Sequence, residues 1–263
     1  NMSHEIRTPI NAVLGMDEMI LRESREKEIR SYAADIYTAG NTLLSLINDI
    51  LDSSKIESGK MEIVPAEYEL PVLLRDLVNM ISQRAREKDL NFEVEVEESL
   101  PKGLYGDDVR IRQIITNILT NAVKYTPSGT VWLRVRGTRE GEDVVLHVEV
   151  EDTGIGIKEE DLPKLFAEYQ RIEEGRNRNI EGTGLGMNIT LQLLKMMGSR
   201  LEVESVYGKG SKFFFDLRQR VVDDAPVGDL KSSMQAPEER YQHEGAFLAP
   251  EARILVVDDN AMN

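Results

Sequence analysis

The chain has 263 residues, 41% of them hydrophobic, enough for one large domain or two ordinary ones and too many for wholesale disorder. With 47 Asp and Glu against 32 Lys and Arg, its formal charge of −15 argues against nucleic acid as a partner, so any phosphate site must be a local basic arrangement. The absence of cysteine removes disulfides, zinc fingers and thiol catalysis together, and no apolar run reaches the roughly 18 residues of a membrane span.

Residues 1 to 58 read as two helices joined around Arg22–Glu28. At helical pitch Ile6, Ile10, Val13, Asp17, Ile20 and Leu21 cluster on one side of the first, while His4 and Thr8 lie on the other. Pro9 costs that helix a hydrogen bond and tends to bend it. His4, beside Glu5, is either a plain surface histidine or a nucleophile: the carboxylate can hold Nδ1–H and leave Nε2 free to attack. In the second helix Ile29, Ile36, Leu43 and Ile50, with Tyr32, Ala39 and Leu46 between them, make a heptad seam. Two helices alone bury too little, so the seam is expected to meet a second copy in a four-helix homodimer. The alternative is an intramolecular seam against the rest of the chain. Gly59 is the expected cap of this helix.

From about Met61 to Leu217 the pattern predicts strands over 91–96, 131–138, 144–150, 201–206 and 212–217, and helices over 71–88, 107–125 and 184–197. Strands that follow each other directly favour an antiparallel or mixed sheet with helices on one face. In the helix 107–125, Ile111, Ile114, Ile115, Ile118 and Ala122 form an apolar stripe, and Asn117, Asn121 and Lys124 line one edge of it. Asparagine is a poor helix former. Its amide oxygen suits a hard cation such as Mg²⁺ and the lysine a phosphate; a solvated polar edge is the competing reading.

Alternation along 144–152 sends Asp152 to the buried side, where a carboxylate needs a partner. The exocyclic amine of adenine would supply one; capping of the following turn would supply another. Two glycine clusters follow, Gly154/Gly156 and Gly182/Gly184/Gly186, and neither fits a P-loop or a dinucleotide fingerprint. The second opens a helix, whose free N–H groups favour an anion. Between them, Arg171, Arg176 and Arg178 sit in a stretch that reads as a lid closing on phosphates. Together these features describe a magnesium-nucleotide pocket. Residues 219 to 250 carry Pro226, Pro237 and Pro250 without periodicity and read as a linker, after which Ile254–Val257 begin a further strand ahead of Asp258 and Asp259.

These residues also line up with a family. Ser3-His4-Glu5-Ile6-Arg7-Thr8-Pro9 resembles the H box of sensor histidine kinases, and Asn117-x-x-x-Asn121-x-x-Lys124-Tyr125 resembles their N box. Asp152-x-Gly154-x-Gly156 looks like the first G box, Leu165-Phe166-x-x-Tyr169 the F box (with Tyr where Phe is usual) and Gly182-x-Gly184-x-Gly186 the second G box. Ile254 to Asn260 is similar to the first strand of a receiver domain, so the parent resembles a hybrid kinase.

The resemblance implies an α+β chain. It would have an N-terminal antiparallel hairpin, half of a dimeric bundle, over 1–59, and a two-layer α/β ATP-binding domain with a mixed sheet over 60–218. A linker over 219–251 and the start of a receiver over 252–263 would follow. The first helix is expected to be cut short almost at His4. The resemblance further implies ATP and Mg²⁺ as cofactors and His4 as phosphoryl acceptor. Glu5 would be base and ring orienter, and Thr8 would position water in a reverse phosphatase step. Asn117 would sit beside the reacting phosphate, Asn121 would ligate Mg²⁺, and Lys124 and Arg171 would contact phosphates. Tyr125 would stack near adenine, Asp152 would accept its amine, and the glycines of both G boxes would approach the nucleotide. Expected partners are a second copy of the chain and a receiver domain of the same or another protein. The expected location is cytoplasmic, with any inner-membrane anchor of the parent in segments outside this sequence. Two other readings are a chaperone-like ATPase of the same fold, which would lack the His-bearing hairpin, and a nucleotide-binding pseudokinase scaffold, which would carry damaged N or G boxes.

Overall fold

The computed structural model describes residues 2–165 and 185–230, with side chains from Ile6 onward and excepting that of Lys164. Two antiparallel helices come first, α1 (Met2–Glu23) and α2 (Lys27–Glu57). Arg7 donates to Asn48 at 3.1 Å, Tyr37 donates to Glu18 at 3.1 Å, and Leu14 packs on Gly40, which together fix the hairpin register. Gly59 closes α2 with φ +65°: its N–H reaches Ile56 O at 3.0 Å, and the Lys60 N–H reaches Lys55 O at 2.8 Å.

The interior of the hairpin is Leu14, Asp17 and Ala33. Val13 and Ile20, expected on the inner side of α1, are instead 53% and 42% exposed, because Leu14 and Leu21 are the residues turned toward α2. The heptad residues of α2 also stay open: Ile29, Ile36, Leu43 and Ile50 are 40%, 48%, 47% and 57% exposed. That seam is not used against any described part of the same chain.

The rest is a seven-stranded mixed sheet with helices on one face. Its strands are β1 (Ala66–Glu69), β2 (Asn91–Val96), β3 (Pro101–Gly106), β4 (Thr130–Glu140), β5 (Asp143–Asp152), β6 (Glu202–Val206) and β7 (Gly210–Pro226). The order is β1-β3-β7-β5-β4-β2, with β6 added to β7; β2 and β4 are parallel and the other pairs antiparallel. Helices α3 (Leu70–Glu87), α4 (Asp108–Tyr125), the short α5 (Leu162–Leu165) and α6 (Leu185–Met196) complete it. Alternation does the sorting: Val131, Leu133 and Val135 of β4, Val144 to Val150 on the even positions of β5, and Phe213, Phe215 and Leu217 of β7 are all buried. α4 lays its Ile111–Ala122 stripe over β4 and β5, and α3, with Leu73, Leu74, Leu77 and Ile81 buried, packs on β1, β2 and β3.

Two departures from the periodicity stand out. β1 and β3 were not expected as strands, since Pro101-Lys-Gly-Leu-Tyr-Gly106 has no β-branched residue; pairing makes them strands, β3 being held between β1 and β7. The stretch expected as linker from 219 is strand as far as Pro226, because β3 takes β7 as its partner there: Tyr105 pairs with Arg220, Leu104 with Val221 and Pro101 with Pro226. Proline is tolerated at that terminal position, which needs no ladder donor.

Candidate nucleotide site

The site is assembled where the C-terminal ends of α4 and β5 meet the start of α6. Asp107 caps α4 by accepting from the Arg110 N–H at 3.0 Å, and its second oxygen accepts from the Val64 N–H at 2.8 Å, so one carboxylate fixes both the helix start and the segment that follows the hairpin. From that start, Asn117, Asn121, Lys124 and Tyr125 follow along the edge of the buried stripe, and all four are half-buried. Asn117 donates from Nδ2 to Gly186 O at 3.1 Å and to Thr190 Oγ1 at 3.3 Å, which ties the asparagine edge of α4 to the first turns of α6. The Lys124 ammonium lies 4.9 Å from the centre of the Tyr125 ring.

Asp152 is 6% exposed, on the buried side that the alternation of β5 requires. Its Oδ1 accepts from the Gly154 N–H at 2.8 Å, so the carboxylate is turned inward and also caps the glycine turn. Burial is the largest influence on it and raises its pKa above the ordinary aspartate value; hydrogen bonds from the Gly154 and Ser211 backbone pull the other way. Thr126 is fully buried and donates to Ala122 O at 2.7 Å.

Gly154 has no room for a side chain. A Cβ there would lie 2.4 Å from Tyr125 O, 2.7 Å from Asp152 Oδ1 and 2.9 Å from Thr126 Oγ1. Gly156 has φ +64°, and a Cβ on it would meet Val206 O at 2.2 Å. The turn is sewn in place from both sides, by Ile155 N–H to Tyr125 O at 3.1 Å and by Gly208 N–H to Ile155 O at 2.8 Å. The protein's own atoms thus fill the space beside both glycines, and the turn is held firmly at the end of β5.

The structure thus brings Asn117, Asn121, Lys124, Tyr125, Asp152, Gly154, Gly156 and Gly186 to one end of the sheet. Thr8 is exposed on α1; His4 and Glu5 lie in the first turns of α1, with side chains outside the described residues. Arg171, Gly182 and Gly184 lie outside the described residues as well. Thr126, Thr190, Ser211 and Asp107 were not singled out from the sequence. Only Asp107 carried a usable signal, an acidic residue directly ahead of a periodic helix; the others act through contacts between distant segments.

Two family descriptions match the chain: "His Kinase A (phospho-acceptor) domain" over residues 1–59 and "Histidine kinase-, DNA gyrase B-, and HSP90-like ATPase" over residues 106–221. The chain is 40% identical over 217 residues to hybrid signal transduction histidine kinase B of Dictyostelium discoideum, covering 82% of this chain and 11% of that protein. It is 34% identical over 231 residues to the signal transduction histidine-protein kinase BarA of Escherichia coli K12, covering 86% of this chain and 25% of that one. The chain therefore spans a quarter or less of the length of these relatives. Among solved structures, ShkA in complex with AMPPNP superposes with a TM-score of 0.65 at 32% identity, over 84% of this chain and 45% of that one. The Acinetobacter baumannii histidine kinase AdeS shares the fold, with a TM-score of 0.52 at 19% identity, over 81% of this chain and 96% of that one.

Proposed function

Because the chain belongs to the sensor histidine kinases, we propose that it transfers the γ-phosphoryl group of ATP to His4 and then passes it to an aspartate of a receiver domain. The observation that carries the reading is one face of α4 joined through Asn117 to Gly186 in the first turn of α6, beside a buried acceptor carboxylate, in a chain that also bears the histidine hairpin. The pseudokinase reading is not favoured, since every one of these positions keeps the residue type the chemistry needs.

The roles follow from the donors and acceptors present. Asp152 accepts from the adenine amine, the firmly held turn at Gly154 and Gly156 borders the base, and Tyr125 flanks it. Lys124 and Arg171 offset phosphate charge, Asn117 sits beside the reacting phosphate, and the first turn of α6, with Gly186, offers N–H groups to an anion. Asn121 supplies an amide oxygen suited to Mg²⁺. No carboxylate or histidine cluster that could hold a metal occurs among the described residues, so the ion's other ligands would be phosphate oxygens and water, as this cation prefers. Bound Mg²⁺ supplies charge neutralisation on the phosphates. In the transfer, the Nε2 lone pair of His4 forms a bond to the γ-phosphorus as the bond to the bridging oxygen breaks, ADP leaves with that electron pair, and the Nδ1 proton passes to Glu5. Thr8, exposed four residues on, positions water in the reverse hydrolysis of a receiver's phospho-aspartate.

Incubation with γ-labelled ATP and Mg²⁺ tests the function. Protein-bound label that survives alkali and is lost in acid supports a phosphohistidine; stable label in acid, or none, speaks against it.

The homodimer is the natural use of the open α2 seam. Leu43→Asp would place a carboxylate from each copy in a core with no cation to meet it, so the chain is expected to sediment as a monomer at concentrations where the wild type is dimeric. A dimer that persists in this variant would move the interface off the heptad face.

Asp152 gives a pH dependence whose sign can be worked out. The adenine amine needs the ionised carboxylate, and burial has raised the pKa, so ADP affinity is expected to fall on acidification earlier than an ordinary aspartate at about 3.9 would allow. The same shift favours the neutral form in the folded state. Its stabilising contribution is present below the unfolded pKa and lost as pH rises through the folded one. Asp152→Asn is therefore expected to raise the melting temperature of the nucleotide-free protein at neutral pH while weakening ADP binding and removing this limb of the pH profile. An affinity profile identical to wild type would show that Asp152 does not face the base.

A further inference from the structure

Outside the nucleotide site, a polar cluster among the described residues joins the hairpin to the ATP-binding region. Asp52, in the last turns of α2, accepts on Oδ2 from Arg110 Nη1 at 3.1 Å and from Gln113 Nε2 at 3.0 Å. Arg110 Nη1 also donates to Gln113 Oε1 at 2.7 Å, closing a three-membered network. The Arg110 and Asp52 side chains are only 20% and 15% exposed, so this pair is far better shielded than an ordinary surface ion pair. α6 rests against α2 as well, giving the contact a second point of support.

Two geometric facts give the cluster a meaning. First, Arg110, Gln113, Asn117, Asn121 and Lys124 are spaced three, four, four and three residues apart, so they lie along a single face of α4. A grip on Arg110 and Gln113 therefore fixes the rotation and height of the same face that carries the nucleotide-site residues. Asn121 is about 12 Å further along the axis, at 1.5 Å per residue. Second, the hairpin register pairs Arg7 with Asn48, Leu14 with Gly40 and Glu18 with Tyr37. Continued toward the N-terminus, it sets the His4 backbone opposite Leu51, beside the residue that makes the grip.

We propose that Asp52, Arg110 and Gln113 are positioning residues for the transfer step, a latch that seats α4 on α2 at the height of His4. This rests on the kinase reading given above. None of the three needs to touch ATP. Their action is to shrink the range of placements of the nucleotide relative to the acceptor, and misplacement of about 1 Å by a remote change can cost up to about a hundredfold in rate.

The test uses the full chain with γ-labelled ATP and Mg²⁺, reading the initial rate at saturating ATP, the KM for ATP and the ADP affinity side by side. Asp52→Ala is expected to lower the maximal rate about tenfold to a hundredfold with KM and ADP affinity unchanged. Gln113→Glu, which keeps the shape but sets a second carboxylate against Asp52, is expected to do the same and covers the case in which Asp52→Ala folds poorly. The exchanged pair Asp52→Arg with Arg110→Asp is expected to recover part of the rate lost by either change alone, which a merely structural defect would not do. A maximal rate that is unchanged or raised in Asp52→Ala and Gln113→Glu, or a loss that follows ADP affinity, overturns the latch and leaves the kinase reading standing. A wild-type chain that takes no label overturns both.

Discussion

His4→Gln is expected to take up no label from γ-labelled ATP while binding ADP as the wild type does. Glutamine matches histidine in polarity and approximate length, but its amide nitrogen has no free lone pair, so the nucleophile is removed with little change in shape. The nucleotide-site residues described above sit on α4, β5 and α6, none of which shares a turn with the start of α1. Binding and acceptance should therefore separate cleanly. Residual label in the variant would place the acceptor elsewhere, with His147 and His243 the other histidines to examine. Loss of ADP binding would join two roles that the fold keeps on separate elements.

Gly154→Ala is expected to produce the converse defect. The added methyl would meet the Tyr125 carbonyl at 2.4 Å, and a backbone oxygen cannot swing aside as the end of a long side chain can. The turn must shift, and with it the 2.8 Å bond from Gly154 N–H to Asp152 and the 3.1 Å bond from Ile155 N–H to Tyr125. Overpacking of this kind costs about 1–3 kcal/mol, which the sheet should survive. ADP affinity is expected to fall by about tenfold or more, equivalent to about 1.4 kcal/mol, by titration calorimetry. Near-normal affinity with a lowered melting temperature would mean that the turn supports the fold and does not meet the base.

What could be read from the sequence follows the range of the physics involved. Asp152 was legible because β5 alternates strictly over Val144, Leu146, Val148 and Val150, so the parity of the next inward residue is forced. Asn117, Asn121 and Lys124 were legible as one edge because helical spacing is equally local. The same local logic put both Val13 and Leu21 on one side of α1, but it could not weigh which residues a partner helix would cover; the contact of Leu14 with Gly40 settled that. β3 was invisible because its strand character is imposed by β1 and β7, against the preferences of Pro101, Gly103 and Gly106. The Asp52 network was invisible for a related reason: its members lie 58 and 61 positions apart, and no period links them. At His4 the residues alone left a plain surface histidine and a nucleophile side by side, because an exposed histidine is common on protein surfaces, and only the motif resemblance favoured the second; the basic stretch with Arg171 lies outside the described residues.

The length of β7 has a consequence for how the chain is made. One strand of 17 residues pairs with β6, β5 and β3, which were synthesised at very different times, and its last rungs are laid against residues more than a hundred positions earlier. On a ribosome, the residues of the hairpin are complete once Glu57 has emerged, whereas the sheet must wait, with β3 and β5 edges unsatisfied, until the chain has passed Pro226. A fragment ended at the boundary expected from sequence, residue 218, would leave β3 as an open edge next to β1, and such edges recruit other chains. Expression of this region is therefore best terminated after Leu230. The residues of both N-terminal helices are thus made long before the strand that completes the sheet.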